Sequence, residues 1–245
     1  MVRHRQTNIE VLRIISMFLI VIMHYIFCGL KHNPFHQYYD LGSISGGVNY
    51  LTMEPLYLLS QVAVNCYVMI SGFFLIDRNQ YRWKGILMTI VNTMFYSLVF
   101  LFLAKASGTG VTNVELAKSI FPIHQWGYWF VTTYVGLLLV APLLSRIASS
   151  LNKRQYQFVL CTLFILNFQY LYGTVYAGHR TIMFFGFLFL LAGYMRLHGI
   201  PKWILHWKVY LFILIWGLLF LFATTVNIWK GCFERNCSVN PVIVV

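Results

Sequence analysis

Apolar stretches of about twenty residues follow one another along this chain, each closed by a charged or Gly/Pro-rich break, and that repeat leaves very few folds open. The first stretch begins at Ile9 and ends near Leu30; the others read as Pro55–Ile76, Gly85–Ala104, Gly127–Leu144, Tyr156–Gly173, Ile182–Leu197 and Val209–Trp229. A helix needs about 20 apolar residues to cross the hydrocarbon core of a bilayer. The breaks are of the kind that end such helices at the interface. Tryptophans crowd the ends (Trp83, Trp126, Trp129, Trp203, Trp207 and Trp229), as in an interfacial aromatic belt. Composition agrees, with 59% hydrophobic and only 10% charged residues, where a soluble domain carries roughly 45–50% and 25%. A disordered chain, a coiled coil and a cytosolic globular enzyme are thereby set aside. The expected fold is all-α: a polytopic transmembrane bundle of seven helices, forming one membrane domain over residues 1–245.

A basic start followed by an apolar centre also describes a signal peptide, but Ile26-Phe27-Cys28 supplies none of the small residues a cleavage site needs. The segment is therefore read as the first membrane helix. The net charge of +12 would suggest nucleic acid in a soluble protein; in this setting it reads as basic cytoplasmic loops, with no nucleic-acid partner. If the N-terminus is inside, twelve of the 18 basic residues fall on inner segments: Arg3, Arg5, Arg13, Arg78, Arg82, Lys84, Arg146, Lys153, Arg154, Arg196, Lys202 and Lys208. Lys31, Lys105, Lys118, Arg180, Lys230 and Arg235 fall outside. The positive-inside rule then predicts a cytoplasmic N-terminus. The two long connections, residues 31–54 and 105–126, are outer loops in this orientation and exceed ordinary structureless connections. The chain ends abruptly in Pro-Val-Ile-Val-Val, which reads as the start of a further helix and an unfinished C-terminus.

The chemistry concentrates in the first helix. Arg13 and His24 stand eleven positions apart, which at about 100° per residue returns them to within ~20° of one face and separates them by roughly 16 Å along the axis. Glu10 and Met17 lie on the same stripe. Ionisable groups inside a membrane are expensive, and they usually face a bundle interior or a watery cavity. Imidazole is the usual general base near neutral pH. The structural alternative has Arg13 snorkelling to the headgroups while paired with Glu10, and His24 bonded within the bundle.

In the second helix, Gln61, Asn65 and Gly72 share a face suited to close helix packing. Ser71 beside them would need a base partner to act as a nucleophile; packing or hydrogen bonding is its simpler role. Gly127-Tyr128-Trp129-Phe130 opens the fourth helix and Ala141-Pro142-Leu143-Leu144 closes it. His124, His179 and Arg180 fall at outer membrane edges, where each is either an exposed loop residue or a contact to a polar acceptor. Cys232 and Cys237 are compatible with a disulfide or with two free thiols. No pair of histidines or cysteines has zinc spacing, and no phosphate-cradling glycine loop occurs.

Asn8-Ile9-Glu10-Val11-Leu12-Arg13-Ile14-Ile15-Ser16, the ten residues between Arg13 and His24, and Ser71-Gly72-Phe73 together resemble the acyltransferase 3 family of integral membrane acyltransferases. Trp129-Phe130 with Pro142, and Phe185-Gly186-Phe187-Leu188 through Gly193-Tyr194, are more loosely similar to later landmarks of that family. The resemblance runs from about residue 5 to 220, and its sharp part is the first 75 residues.

It implies transfer of an acyl group, commonly acetyl from acetyl-CoA, to a hydroxyl of a cell-surface glycan or its lipid-linked precursor. His24 would be the general base and Arg13 would hold the donor; beside the resemblance, Glu10, Ser71, Trp129 and Arg180 are the weaker candidates for binding substrate or donor. No bound cofactor is expected, since acetyl-CoA is a substrate. The implied setting is a bacterial-type inner membrane crossed several times. The family's usual ten helices imply that this chain is C-terminally incomplete. Two other readings stay open: a transporter or flippase of a polysaccharide cluster, though no paired repeat with broken helices appears, and an inactive fragment of an acyltransferase.

Overall fold

The computed structural model describes residues 7–31, 52–53, 55–108, 110–121, 128–173, 181–202 and 204–239. Among these the regular structure is helical and no strand occurs. Helix α1 (Thr7–His24) passes directly into a π-helical segment, Tyr25–Lys31. Then come α2 (Val62–Leu75, led by a helical stretch over 55–60), α3 (Trp83–Ala106), α4 (Asn113–Ile120), α5 (Trp129–Ser150), α6 (Lys153–Gly173), α7 (Ile182–His198) and α8 (Trp207–Val239). All seven expected spans are thus helical. Among the described residues, four helices are both long and apolar enough to cross a membrane: Thr7–Gly29, Pro55–Leu75, Trp83–Ala106 and Trp129–Ser150. The apolar helix Ile182–His198 is shorter, at 17 residues.

The distribution of side chains explains why helices are the solution. In lipid every backbone N–H and C=O must be satisfied internally, and a helix does so within one segment. Ile14, Phe18 and Val21 form an exposed apolar stripe on α1, while α8 exposes Phe212, Ile213, Leu214, Ile215 and Trp216 in succession, which means on every side. Apolar surface on this scale is tolerated where the solvent is itself apolar.

The chain divides into two compact units, one from residues 1–67 and 200–245 and the other Val68–Gly199. In the first, Phe27 of the π segment stacks on Tyr57 with centroids 6.2 Å apart. In the second, α7 is the central element, burying Phe185, Leu188, Phe189, Leu190, Ala192, Gly193 and Tyr194 against α5 and α6. The Tyr156 hydroxyl of α6 donates to the Leu190 carbonyl at 2.9 Å, and Gln157 donates to the Tyr194 hydroxyl at 2.7 Å.

Three boundaries differ from the sequence expectation. Pro142 does not close the fourth span; α5 runs through it to Ser150. Proline lacks the N–H that would bond the Leu138 carbonyl, but membrane helices tolerate this when neighbours supply polar groups. Here Arg78, Gln80 and Arg82 line a niche with Leu138, Ala141 and Pro142, and the Ser145 hydroxyl donates to the Leu75 carbonyl at 3.3 Å. The long connection after α3 contains α4, whose start is a capping box between Thr112 and Glu115. The Thr112 backbone N–H, and secondarily its hydroxyl, hold the Glu115 carboxyl below its ordinary range. Finally, α8 continues past Trp229 to Val239.

Candidate active site

Helix α1 carries the expected polar line. Arg13 Nη1 donates to both Glu10 oxygens, at 3.3 and 3.2 Å, one helical turn away. Both of these bonds come from Nη1. The pair sits half-buried at the edge of the face that buries Ser16. Eleven residues on, still within regular α-helix, His24 Nδ1 lies 2.8 Å from the Ile20 carbonyl oxygen. A carbonyl only accepts, so Nδ1 carries the proton, and the lone pair of the neutral ring is on Nε2. The His24 side chain is exposed.

The helix changes character at that point. His24 is the last α residue and Tyr25 the first of the π segment. Such segments are rare and often accompany functional sites. The sequence offered no sign of it, because apolar periodicity is blind to one extra residue in a turn.

The Ser71-Gly72-Phe73 run lies in the Val68–Gly199 unit, and its three residues each meet a different feature. The Ser71 and Tyr134 hydroxyls are 2.9 Å apart and share a hydrogen bond. A Cβ on Gly72 would stand 2.6 Å from the Phe189 carbonyl oxygen, so α2 and α7 touch backbone to backbone there. The Phe73 ring lies under the Arg196 guanidinium at 5.0 Å, in cation–π range. Arg196 also donates from Nε to Asp77 Oδ2, a pairing 119 residues apart in sequence that no local pattern could reveal.

Trp129 belongs to the aromatic cluster that continues from Ser71. Tyr134 stacks on Phe130 at 5.6 Å, and Phe185, fully buried, lies 5.7 Å from Phe130 and 6.3 Å from Trp129. The later sequence landmarks are thus joined: Trp129 and Phe130 pack on Phe185, while Gly193 admits Ile76 and the Tyr156 hydroxyl at 2.5 and 3.0 Å from where its Cβ would be.

The expected residues therefore fall into two groups. Glu10, Arg13 and His24 share one face of α1, whereas Ser71 and Trp129 share the aromatic cluster of the Val68–Gly199 unit. Arg180, His124 and His179 lie outside the described residues. Among the described residues no group of three His, Cys, Asp or Glu side chains is arranged to hold a metal ion. A family model described as an acyltransferase domain, Acyl_transf_3, matches residues 6–233. No curated protein and no solved structure matches the chain.

Proposed function

The chain belongs to the acyltransferase family whose model covers residues 6–233 and is accordingly a membrane acyltransferase, and from that premise we propose that it moves acetyl from acetyl-CoA to a hydroxyl of a cell-surface glycan or its lipid-linked precursor. The observation that carries this reading is the hydrogen bond from His24 Nδ1 to the Ile20 carbonyl at 2.8 Å. It leaves Nε2 as the basic nitrogen of the neutral ring, on a residue that shares a helical face with the Glu10–Arg13 pair.

In the proposed reaction Nε2 takes the proton of the acceptor hydroxyl as its oxygen attacks the thioester carbonyl. The C–S bond then breaks, an oxygen ester forms, and the departing CoA thiolate recovers the proton from His24. Arg13 holds the donor's phosphates by charge-assisted hydrogen bonds, with Glu10 orienting the guanidinium. Acetyl-CoA is elongated, with phosphates at one end and thioester at the other. That suits two groups about 16 Å apart along a helix.

Arg13→Lys is expected to lower transfer almost as far as Arg13→Ala, because only the planar fork binds phosphate bidentately. The experiment follows labelled acetyl from acetyl-CoA into membrane glycan. A lysine variant that kept most of the wild-type rate would remove the bidentate role.

The donor is cytoplasmic, and the basic residues favour a cytoplasmic N-terminus in an inner membrane of bacterial type. A cysteine introduced near Gly42, in an otherwise cysteine-free chain, should react with an impermeant thiol reagent added to intact cells. Reaction only after permeabilisation would reverse the orientation.

A further inference from the structure

In the Val68–Gly199 unit cations collect at one end of the helices. The Ser145 hydroxyl of α5 reaches the Leu75 carbonyl at the end of α2, and Arg196, in the last turn of α7, pairs with Asp77 just past it. Tyr156 and Gln157, in the first turns of α6, bond to Leu190 and Tyr194 of α7. The end of α2, the start of α3, the α5–α6 turn and the end of α7 therefore lie together. Six exposed cations sit there: Arg82 and Lys84 at the start of α3, Arg146, Lys153 and Arg154 about the α5–α6 turn, and Arg196. Residues 68–199 hold two acids: Asp77, which Arg196 engages, and Glu115, which belongs to α4 beyond the far end of α3.

Helix stability does not account for this charge. Lys84, Lys153 and Arg154 occupy first turns that contain no acid, where a cation opposes the positive end of the helix macrodipole. The level in the membrane is marked beside them. Tyr81 and Trp83 stack at 5.3 Å, both exposed, at the head of a spanning helix, the placement of an interfacial aromatic belt.

We infer that this end of the unit binds the headgroups of anionic glycerophospholipids, with Arg146, Lys153 and Arg154 as one contact and Arg82 and Lys84 as the other. Guanidinium and ammonium groups take phosphate by charge-assisted hydrogen bonds, and each one at a membrane surface favours an anionic lipid by about fivefold. A zwitterionic headgroup carries its own cation beside the phosphate and gains little from such a cluster. Arg196 is committed to Asp77 and to the Phe73 ring, and joins α7 to the end of α2.

The full chain is placed in phosphatidylcholine nanodiscs holding a minor share of phosphatidylglycerol with a diazirine on its headgroup. Irradiation should label residues 81–84 and 146–154 more than 105–118, whereas phosphatidylcholine bearing the same group should label both ends alike. Arg146→Gln, Lys153→Gln and Arg154→Gln combined should cut labelling of 146–154 by about tenfold or more and spare 81–84. Arg82→Gln with Lys84→Gln should do the converse, and Lys105→Gln with Lys118→Gln should change neither. All seven side chains are exposed, so these variants change charge without opening the core. Equal labelling by the two lipids, or indifference to both basic variants, overturns the proposal. So does displacement of the label by pyrophosphate at constant ionic strength, which would make this a site for a soluble phosphate. Labelling requires no acyl donor, so its failure and a failure of the transfer reading are separate results.

Discussion

His24→Ala is expected to lower acetyl transfer per folded molecule by about 10²–10⁴-fold, the usual contribution of a general base, with little change in protein level. The structure separates these two effects. His24 is exposed, and its hydrogen bond runs to a carbonyl of its own helix, at Ile20. Alanine removes no contact that holds α1 to another element by that bond, and alanine is the best helix former. A histidine with a purely structural role predicts the reverse: less protein or a lower melting temperature, with activity that tracks the folded fraction. Rate and folded amount must therefore be measured on the same preparation. Near-normal turnover per folded molecule would end the assignment of His24 as base, and family membership would then be the remaining support for an acyltransferase.

What the sequence made legible was local. The Glu10–Arg13 pairing is one turn long, and the shared face of Arg13 and His24 follows from helical geometry once α1 is known to be regular through residue 24. The helices at the seven apolar stretches were legible because apolar runs of that length favour helices in lipid, and four of them are long and apolar enough to cross a membrane among the described residues. The remainder depended on partners distant in sequence. Ser71 meets Tyr134 across 63 positions and Asp77 meets Arg196 across 119, and neither pair leaves a trace in spacing. Pro142 read as a helix end because the missing N–H is a local fact, whereas Arg78 and Gln80 beside it, and the Leu75 carbonyl that Ser145 reaches, are brought there by tertiary packing. Helix α4 was hidden for another reason: eight residues with four polar side chains resemble a loop until the Thr112–Glu115 box is seen to start a helix.

Gly72→Ala should lower the folding stability more than Gly193→Ala or Gly217→Ala. Its Cβ would stand 2.6 Å from the carbonyl oxygen of Phe189 and 2.8 Å from its Cα, and neither atom can rotate away. Phe189 is fully buried, and the next carbonyl, that of Leu190, accepts the Tyr156 hydroxyl. Backing α7 off would disturb that bond and the Phe73–Arg196 contact beside it. Overpacking of this kind costs about 1–3 kcal/mol, occasionally more, and each ~1.4 kcal/mol is a tenfold shift in the folded-to-unfolded ratio. Gly193→Ala should be milder, since the two closest atoms there are the Cγ1 and Cδ1 of Ile76, which can change rotamer, and the Tyr156 hydroxyl at 3.0 Å needs to give only a few tenths of an ångström. Gly217→Ala meets nothing within 4 Å and is the control; by helix propensity alone it should be neutral or slightly stabilising. Thermal unfolding of the three variants in the same detergent gives the ranking. If Gly72→Ala unfolded at the temperature of Gly217→Ala, the backbone contact between α2 and α7 would not exist as described. Its activity per folded molecule should stay near wild type, the opposite signature to His24→Ala, because Gly72 acts on how much protein folds and His24 on what each folded molecule does.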